Sequence, residues 1–423
     1  MKEFLNILLL GRGGREGALA EKILKSPRTR KLYTMPGEFP GCHHLPGSSL
    51  DFDRVAEIVG DYEIDLVVAG PEASIVAGIY DALSGLDVKV IAPDSDAARL
   101  EGSKEFAKEF MISHAIPSPR FMSVTSDTLD EGLSFLESQT PPYVIKADGL
   151  AGGRGVLIVS DLDQAKATLT SMIDGLFGES SQTVIVEEFV PGPECSLFYA
   201  IDGEDYIYLG SALDYKRFED GDQGPNTAGL GAVSPALCID KNPELIEKVE
   251  KRILLPTIRG LKEEGIDYRG FLYLGLKEVD GEPVMLEYNV RLGDPESQVL
   301  IPRMKSDIID IFEGIADRTL ALKQMELSPI HAVGVVLTAE GYPDNPRKGD
   351  TITGIQQARN LGCSVYTGAV STNPEDGAIL TDGGRIATVV GLSDNPSDAR
   401  NLAYKGVNLI DFYGKYNRSD IGL

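Results

Sequence analysis

Residues 287–298 read E-Y-N-V-R-L-G-D-P-E-S-Q and follow directly on the apolar run P-V-M-L. Glu287 and Asn289 lie two apart on an expected strand, so both side chains point to one face. Two oxygen ligands on one face suit magnesium, which takes a few protein oxygens and completes its octahedron with phosphate and water. Arg291 continues that face, where its guanidinium could pair with an anionic transition state. The bland reading of the same residues, with Asp294 and Glu296, is a structural salt-bridge cluster.

Upstream, two lysines point to phosphate. E-G-S-K at 101–104 presents Lys104, and Y-V-I-K-A-D-G-L-A-G-G-R-G-V at 143–156 presents Lys146 at the end of an apolar strand. A lysine emerging from such a strand must meet an anion or lose heavily to desolvation. The loop after it, with Gly152, Gly153 and Arg154, lacks the terminal G-K-[ST] of a Walker A motif, yet its small residues would let backbone amides close over phosphates. A flexible hairpin tip is the alternative. T-V-I-V-E-E-F-V-P-G-P-E at 183–194 is a strand running into Glu187 and Glu188, able to offer backbone groups to an adenine edge, with Glu194 reaching ribose hydroxyls. Singly, each acid also reads as a solvated turn residue.

L-L-L-G-R-G-G-R-E-G-A-L at 8–19 has the strand, glycine turn and helix start that can seat an anion on backbone N–H groups. It is not a dinucleotide fingerprint, since Glu16 stands where the third glycine belongs and no acid closes the next strand. Arg12 and Arg15 flank the loop and favour a phosphate cradle over a turn needed only for packing. V-V-A-G-P-E at 67–72 ends another strand with Glu72, which is either a ligand at a sheet edge or a helix N-terminal acid.

The elements that must position these groups follow from hydrophobic periodicity. At 423 residues the chain is too long for one ordinary core. Strands FLNILLL, KLYTM, IDLVVAG and VKVIAP alternate with helices over 16–24, near 51–60 and near 76–84, which predicts a parallel sheet covered on both faces. From 143 to 300 the segments are β-rich, with helices at 162–174 and 243–264, as in an antiparallel or mixed sheet of an α+β core. Short strands and a helix near 396–410 follow Ser328-Pro329. The divisions expected are an N-terminal α/β domain over 1–103, a central domain over 104–327 and a small β-rich C-terminal domain over 328–423.

The net charge of −25 opposes nucleic acid and anionic membranes as partners. No run approaches the roughly 20 apolar residues of a membrane span, and the apolar start is too short for a secretion signal. Cys42, Cys195, Cys238 and Cys363 are scattered without a C-x-x-C pair, which fits a reducing cytosol.

The ordered series G-R-G-G-R-E, A-G-P-E, E-G-S-K, V-I-K-A-D-G-L-A-G-G-R-G-V, E-E-F, D-Y-K-R, G-P-N-T-A-G-L-G and E-Y-N-V-R-L-G-D-P-E-S-Q resembles the phosphoribosylamine–glycine ligases, ATP-grasp enzymes also called glycinamide ribonucleotide synthetases. The resemblance spans essentially the whole chain. It implies a pre-ATP-grasp domain, an ATP-grasp core with a lid at about 118–190, and a C-terminal domain. It further implies a cytoplasmic, monomeric enzyme acting on ATP, glycine and 5-phosphoribosylamine with Mg2+ or Mn2+.

By the same resemblance, Lys104, Lys146, Gly152, Gly153 and Arg154 would hold phosphates, and Glu187, Glu188, Val190 and Glu194 the adenosine. Glu287 and Asn289 would hold the metal, and Arg291 would steady the transferred phosphoryl group. Asp214, Lys216 and Asp294 would meet glycine and the intermediate. Gly13, Gly14, Arg15, Glu16, Glu72, Asn226 and Thr227 would surround the ribosylamine.

Some positions depart from the family pattern. Arg12 replaces a small polar residue, Gly17 and Tyr215 replace histidines, Arg154 replaces a lysine, and G-P-N-T-A-G-L-G stands for G-P-N-T-G-G-M-G. A biotin carboxylase or another purine ligase would share the lysines and E-x-N, but not G-P-N-T together with R-x-G-D-P-E. A nicotinamide dehydrogenase would need the missing dinucleotide loop. A non-catalytic nucleotide-binding regulator would be expected to have lost a ligand.

Overall fold

A computed structural model describes residues 3–236 and 242–423, so Cys238 lies outside the described residues. The first sheet contains β1 (Leu5–Gly11), β2 (Thr29–Pro36), β3 (His43–His44), β4 (Leu66–Ala69) and β5 (Lys89–Ile91), all parallel, in the order β3-β2-β1-β4-β5. The expected parallel sheet is present, with the short strand β3 added at its edge. The single helix expected near 76–84 is two, Glu72–Val76 and Ile79–Leu83, separated where Gly78 takes φ +90.

A second sheet, β6 (Phe121–Val124), β7 (Tyr143–Ala147), β8 (Val156–Val159) and β9 (Val184–Glu187), is antiparallel in the order β6-β9-β7-β8. Helices Leu129–Glu137 and Leu162–Ile173 cover it. This unit buries its own cluster around Ile145, Leu169 and Val186, separate from the other cores.

The third sheet positions most of the chemistry. It contains β10 (Glu194–Asp202), β11 (Tyr206–Asp214), β14 (Gly231–Ser234), β15 (Arg269–Val279), β16 (Glu282–Asn289), β17 (His331–Thr338), β18 (Ser364–Thr367) and β21 (Arg385–Ser393), in the order β16-β15-β10-β11-β14-β17-β21-β18. Two small hairpins flank it, β12 (Arg217–Glu219) with β13 (Gln223–Asn226), and β19 (Val370–Thr372) with β20 (Ile379–Thr381). Because β14 pairs with β17, the strands after residue 328 continue the central sheet.

Period-two alternation binds the first sheet to the third. Leu197 and Tyr199 of β10 pack in one core with Leu8 and Leu10 of β1. Phe198 and Ala200 face the opposite core, with Ile7 and Leu9. Each strand is therefore buried on both faces, as its continuous apolar run requires.

Candidate active site

The end of β16 carries the central cluster. Pairing with β15 sets Glu287 opposite Gly275 and Asn289 opposite Tyr273, so the two side chains share a face. Glu287 meets Lys216 Nζ at 3.9 Å, and the same ammonium stands 3.2 Å from Glu194 and 3.6 Å from Asp214. Burial opposes ionisation of Glu287, but Lys216, Lys146, Lys104 and Arg291 outweigh it and hold the carboxyl below its ordinary range. Burial drives the Asp214 carboxyl up to about 7 against Lys216, helped by Glu296, Glu194 and Glu287.

Asn289 Nδ2 is buried without a hydrogen-bond partner, while Oδ1 accepts from Arg291 and keeps a second lone pair. With Glu287, that makes two oxygen donors of the kind a hard divalent cation accepts. Among the described residues no three His, Cys, Asp or Glu side chains converge on a metal position. Two protein oxygens fit a cation that shares its shell with phosphate and water.

Arg291 is held in place. Its guanidinium meets Glu101 Oε1 at 2.9 Å, donates to Asn289 Oδ1 at 3.1 Å and reaches Glu72 at 3.5 Å. Glu101 Oε2 also accepts from Val290 N at 2.8 Å, fixing carboxylate and strand end together. Burial disfavours the Arg291 cation, yet Glu101 and Glu72 keep it firmly protonated.

The two lysines flank this face. Lys104 starts the helix Lys104–Ser113, whose N-cap Ser103 accepts from Phe106 N. Its Nζ donates to Asp148 O at 3.2 Å and Gly149 O at 3.3 Å, which ties it to the base of the 149–155 loop. Burial lowers the Lys104 pKa, with Lys146 adding to the effect against Glu287. Lys146 has the anion its burial demands: Glu187 Oε2 at 2.6 Å. Glu188 pairs with Arg120 at 3.0 Å on the surface, and Val190 lies half-buried in the irregular stretch after β9.

The first loop is organised by carboxylates. Gly13 N donates to Glu16 Oε2 at 2.6 Å, the one half of a capping box open to a glycine, and Arg15 N donates to Asp294 Oδ2 at 3.3 Å. A phosphate at this helix start would have to displace these carboxylates. Glu16 is also 2.6 Å from Arg15 Nε, and Arg15 approaches Glu72 at 3.7 Å. A β-carbon at Gly14 would push away Gln298 Nε2, which donates to Asp294 Oδ1 at 2.7 Å.

Beside this loop lies a cavity of about 260 Å³ that gathers Gly13, Gly14, Gly152, Arg154, Thr227 and Asp294 with Arg12 and Arg385. Arg385 donates to Ala228 O at 2.6 Å and Asp294 O at 2.7 Å, locking the G-P-N-T-A-G segment to the Asp294 turn. Thr227 Oγ1 donates to Lys216 O at 2.8 Å, and Asn226 Nδ2 to Val156 O at 3.2 Å. Gly153, at φ +78, packs against Ala228, so the tip of the 149–155 loop rests on the cavity wall.

Lys108, Glu101, Gln298 and Arg385 were not singled out in the sequence. For Lys108 a signal existed: it follows Lys104 by one helical turn on the same side. The partners of Glu101 and Arg385 come from distant strands, and no local pattern announces them.

The chain matches the family models described as Phosphoribosylglycinamide synthetase N domain over 5–101, ATP-grasp (A) domain over 102–297 and C domain over 332–423. It is 39% identical over 430 residues to a phosphoribosylamine–glycine ligase from Ralstonia nicotianae, covering 99% of each chain. The crystal structure of phosphoribosylamine–glycine ligase from Thermotoga maritima superposes with TM-score 0.84 at 33% identity, covering 99% of this chain and 100% of that one. A biotin carboxylase from Campylobacter jejuni, at TM-score 0.67 and 15% identity over 98% and 93% of the two chains, shares the fold alone. With all its parts matched in order and the particular G-P-N-T and R-x-G-D-P-E elements at one cavity, the chain belongs to the phosphoribosylglycinamide synthetase family.

Proposed function

We propose that this protein joins glycine to 5-phosphoribosylamine using ATP, giving glycinamide ribonucleotide, ADP and phosphate in de novo purine biosynthesis. A glycine carboxylate oxygen attacks the γ-phosphorus, the bond to the bridging oxygen breaks, and ADP leaves. The ribosylamine nitrogen then attacks the acyl carbon of glycyl phosphate, the carbon–oxygen bond to phosphate breaks, and the nitrogen gives up a proton. Phosphoryl transfer of this kind depends on positioning and charge neutralisation.

The observation that carries the reading is the segment 287–294, which runs in one stretch from the lysine cluster at Glu287 to the cavity wall at Asp294. Phosphates held by Lys104, Lys146, Gly152, Gly153 and Arg154 would thus lie next to a sugar amine held by Gly13, Gly14, Arg15, Glu16, Glu72, Asn226 and Thr227. Glu187, Glu188, Val190 and Glu194 would serve the adenosine. Arg291, fixed by Glu101, would steady the transferred group, while Asp214, Lys216 and Asp294 would take glycine and its acyl phosphate. Glu287 and Asn289 would hold Mg2+ or Mn2+, which supplies charge neutralisation to the phosphates.

The working parts in this reading are 1–103, 104–327 with its lid at about 118–190, and 328–423, in a cytoplasmic monomer. No described helix is long and apolar enough to cross a membrane. Release of ADP that requires glycine and phosphoribosylamine together tests the assignment, and light scattering tests the monomer. ADP release that ignores either substrate overturns the function.

A further inference from the structure

Glu187 is bracketed by two cations. Lys146 Nζ stands 2.6 Å from Oε2 and Lys108 Nζ 2.5 Å from Oε1. The Lys108 and Glu187 side chains are almost fully buried, at 3% and 2% exposure, and Lys146 is 8% exposed. Lys108 sits on the inner side of its helix with Ala107 and Met111. Burial alone would push the Glu187 carboxyl up, but Lys146 and Lys108 outweigh it and hold it low.

A single carboxylate cannot serve Lys146 and leave that lysine's charge available to a phosphate. In a buried Lys146–Glu187 pair, an incoming phosphate would meet a neutral ion pair with an acid on its far side. If Lys146 turned wholly to the phosphate, Glu187 would be left as a buried, unpartnered charge, which is strongly unfavourable in such a site. The second lysine removes this conflict.

We propose that Lys108 is a positioning residue that neutralises Glu187 from its far side, so that Lys146 keeps a net positive charge for the phosphates of the nucleotide. The inference rests on the reading of Lys146 as a phosphate ligand. Lys108 works through Glu187, and its removal harms binding only while Glu187 remains an acid.

The test is calorimetric titration of the full-length protein with MgATP. Lys108→Met should weaken binding by about tenfold or more, and Lys108→Met combined with Glu187→Gln should restore it to within about threefold of Glu187→Gln alone. Unchanged affinity in Lys108→Met overturns the inference, as does a double variant that stays as weak as Lys108→Met, because that marks Lys108 as packing only. If Lys108→Met does not fold, the double variant decides: recovered folding with the MgATP affinity of Glu187→Gln supports the role, and failure to fold or a tenfold gap contradicts it. Lys146→Met separates the two levels. Normal MgATP affinity in that variant removes the phosphate reading itself, whereas weakened binding there with normal binding in Lys108→Met removes the Lys108 role alone.

Discussion

Arg12 Nη2 lies 3.0 Å from Asp382 Oδ2, so the first glycine loop is bolted to the C-terminal part across the edge of the cavity. Lys348 meets the other oxygen of Asp382 at 3.3 Å. Arg12 lines both the cavity beside Gly13 and a neighbouring one of about 290 Å³ next to Gly37 and His44. The family pattern implies a small polar residue here, and arginine instead adds a cation and a cross-link. Arg12→Ala should therefore raise the Michaelis constant for phosphoribosylamine by about tenfold, the size of one lost charged hydrogen bond. The constants for ATP and glycine should stay within about twofold. Steady-state kinetics with each substrate varied in turn checks this, and an effect confined to ATP would show that the loop serves another ligand.

Glu287→Gln should lower turnover by about two orders of magnitude or more at limiting magnesium, the usual result of losing a preorganised charge. Its side chain is 33% exposed and its ion pair is long, at 3.9 Å, so the melting temperature should barely move. Near-normal turnover in a magnesium titration would disprove the metal role.

Asp214 gives a pH signature. Its folded pKa, about 7, lies above the ordinary 3.8, so the stability it contributes is complete below 3.8 and lost as pH rises through about 7. Over the same window the group ionises and becomes able to hold the glycine ammonium. The Michaelis constant for glycine should fall between about pH 6 and about pH 8 in the wild type and stay level in Asp214→Asn. Parallel profiles in both proteins would exclude Asp214 from the glycine site.

The loop at 149–155 is exposed at Gly152, Gly153 and Arg154 and belongs to a unit with its own core. Bound nucleotide should order it, slowing tryptic cleavage after Arg154 by about fivefold or more. Identical cleavage with and without MgATP would rule out closure of this loop.

The strands β1 and β4 were legible because each is an apolar run buried on both faces. The helix Lys104–Ser113 was not, since Lys108 breaks its apolar stripe and only the distant Glu187 accounts for a buried lysine there. Glu287 and Asn289 could be placed on one face from spacing alone, and the register of β16 with β15 puts them there. The carboxylates that occupy the first loop could not be read: Asp294 reaches Arg15 N only through the packing of distant segments. The pairing of β14 with β17, which carries the central sheet past residue 328, is likewise a long-range fact.

The most direct test of the account follows one atom. Glycine labelled with ¹⁸O in its carboxylate is turned over with ATP, magnesium and phosphoribosylamine, and the released phosphate is examined by mass spectrometry. Attack of the carboxylate on the γ-phosphorus predicts one labelled oxygen per phosphate, with ADP formed in equal amount. Unlabelled phosphate, or AMP and pyrophosphate in place of ADP and phosphate, would contradict it.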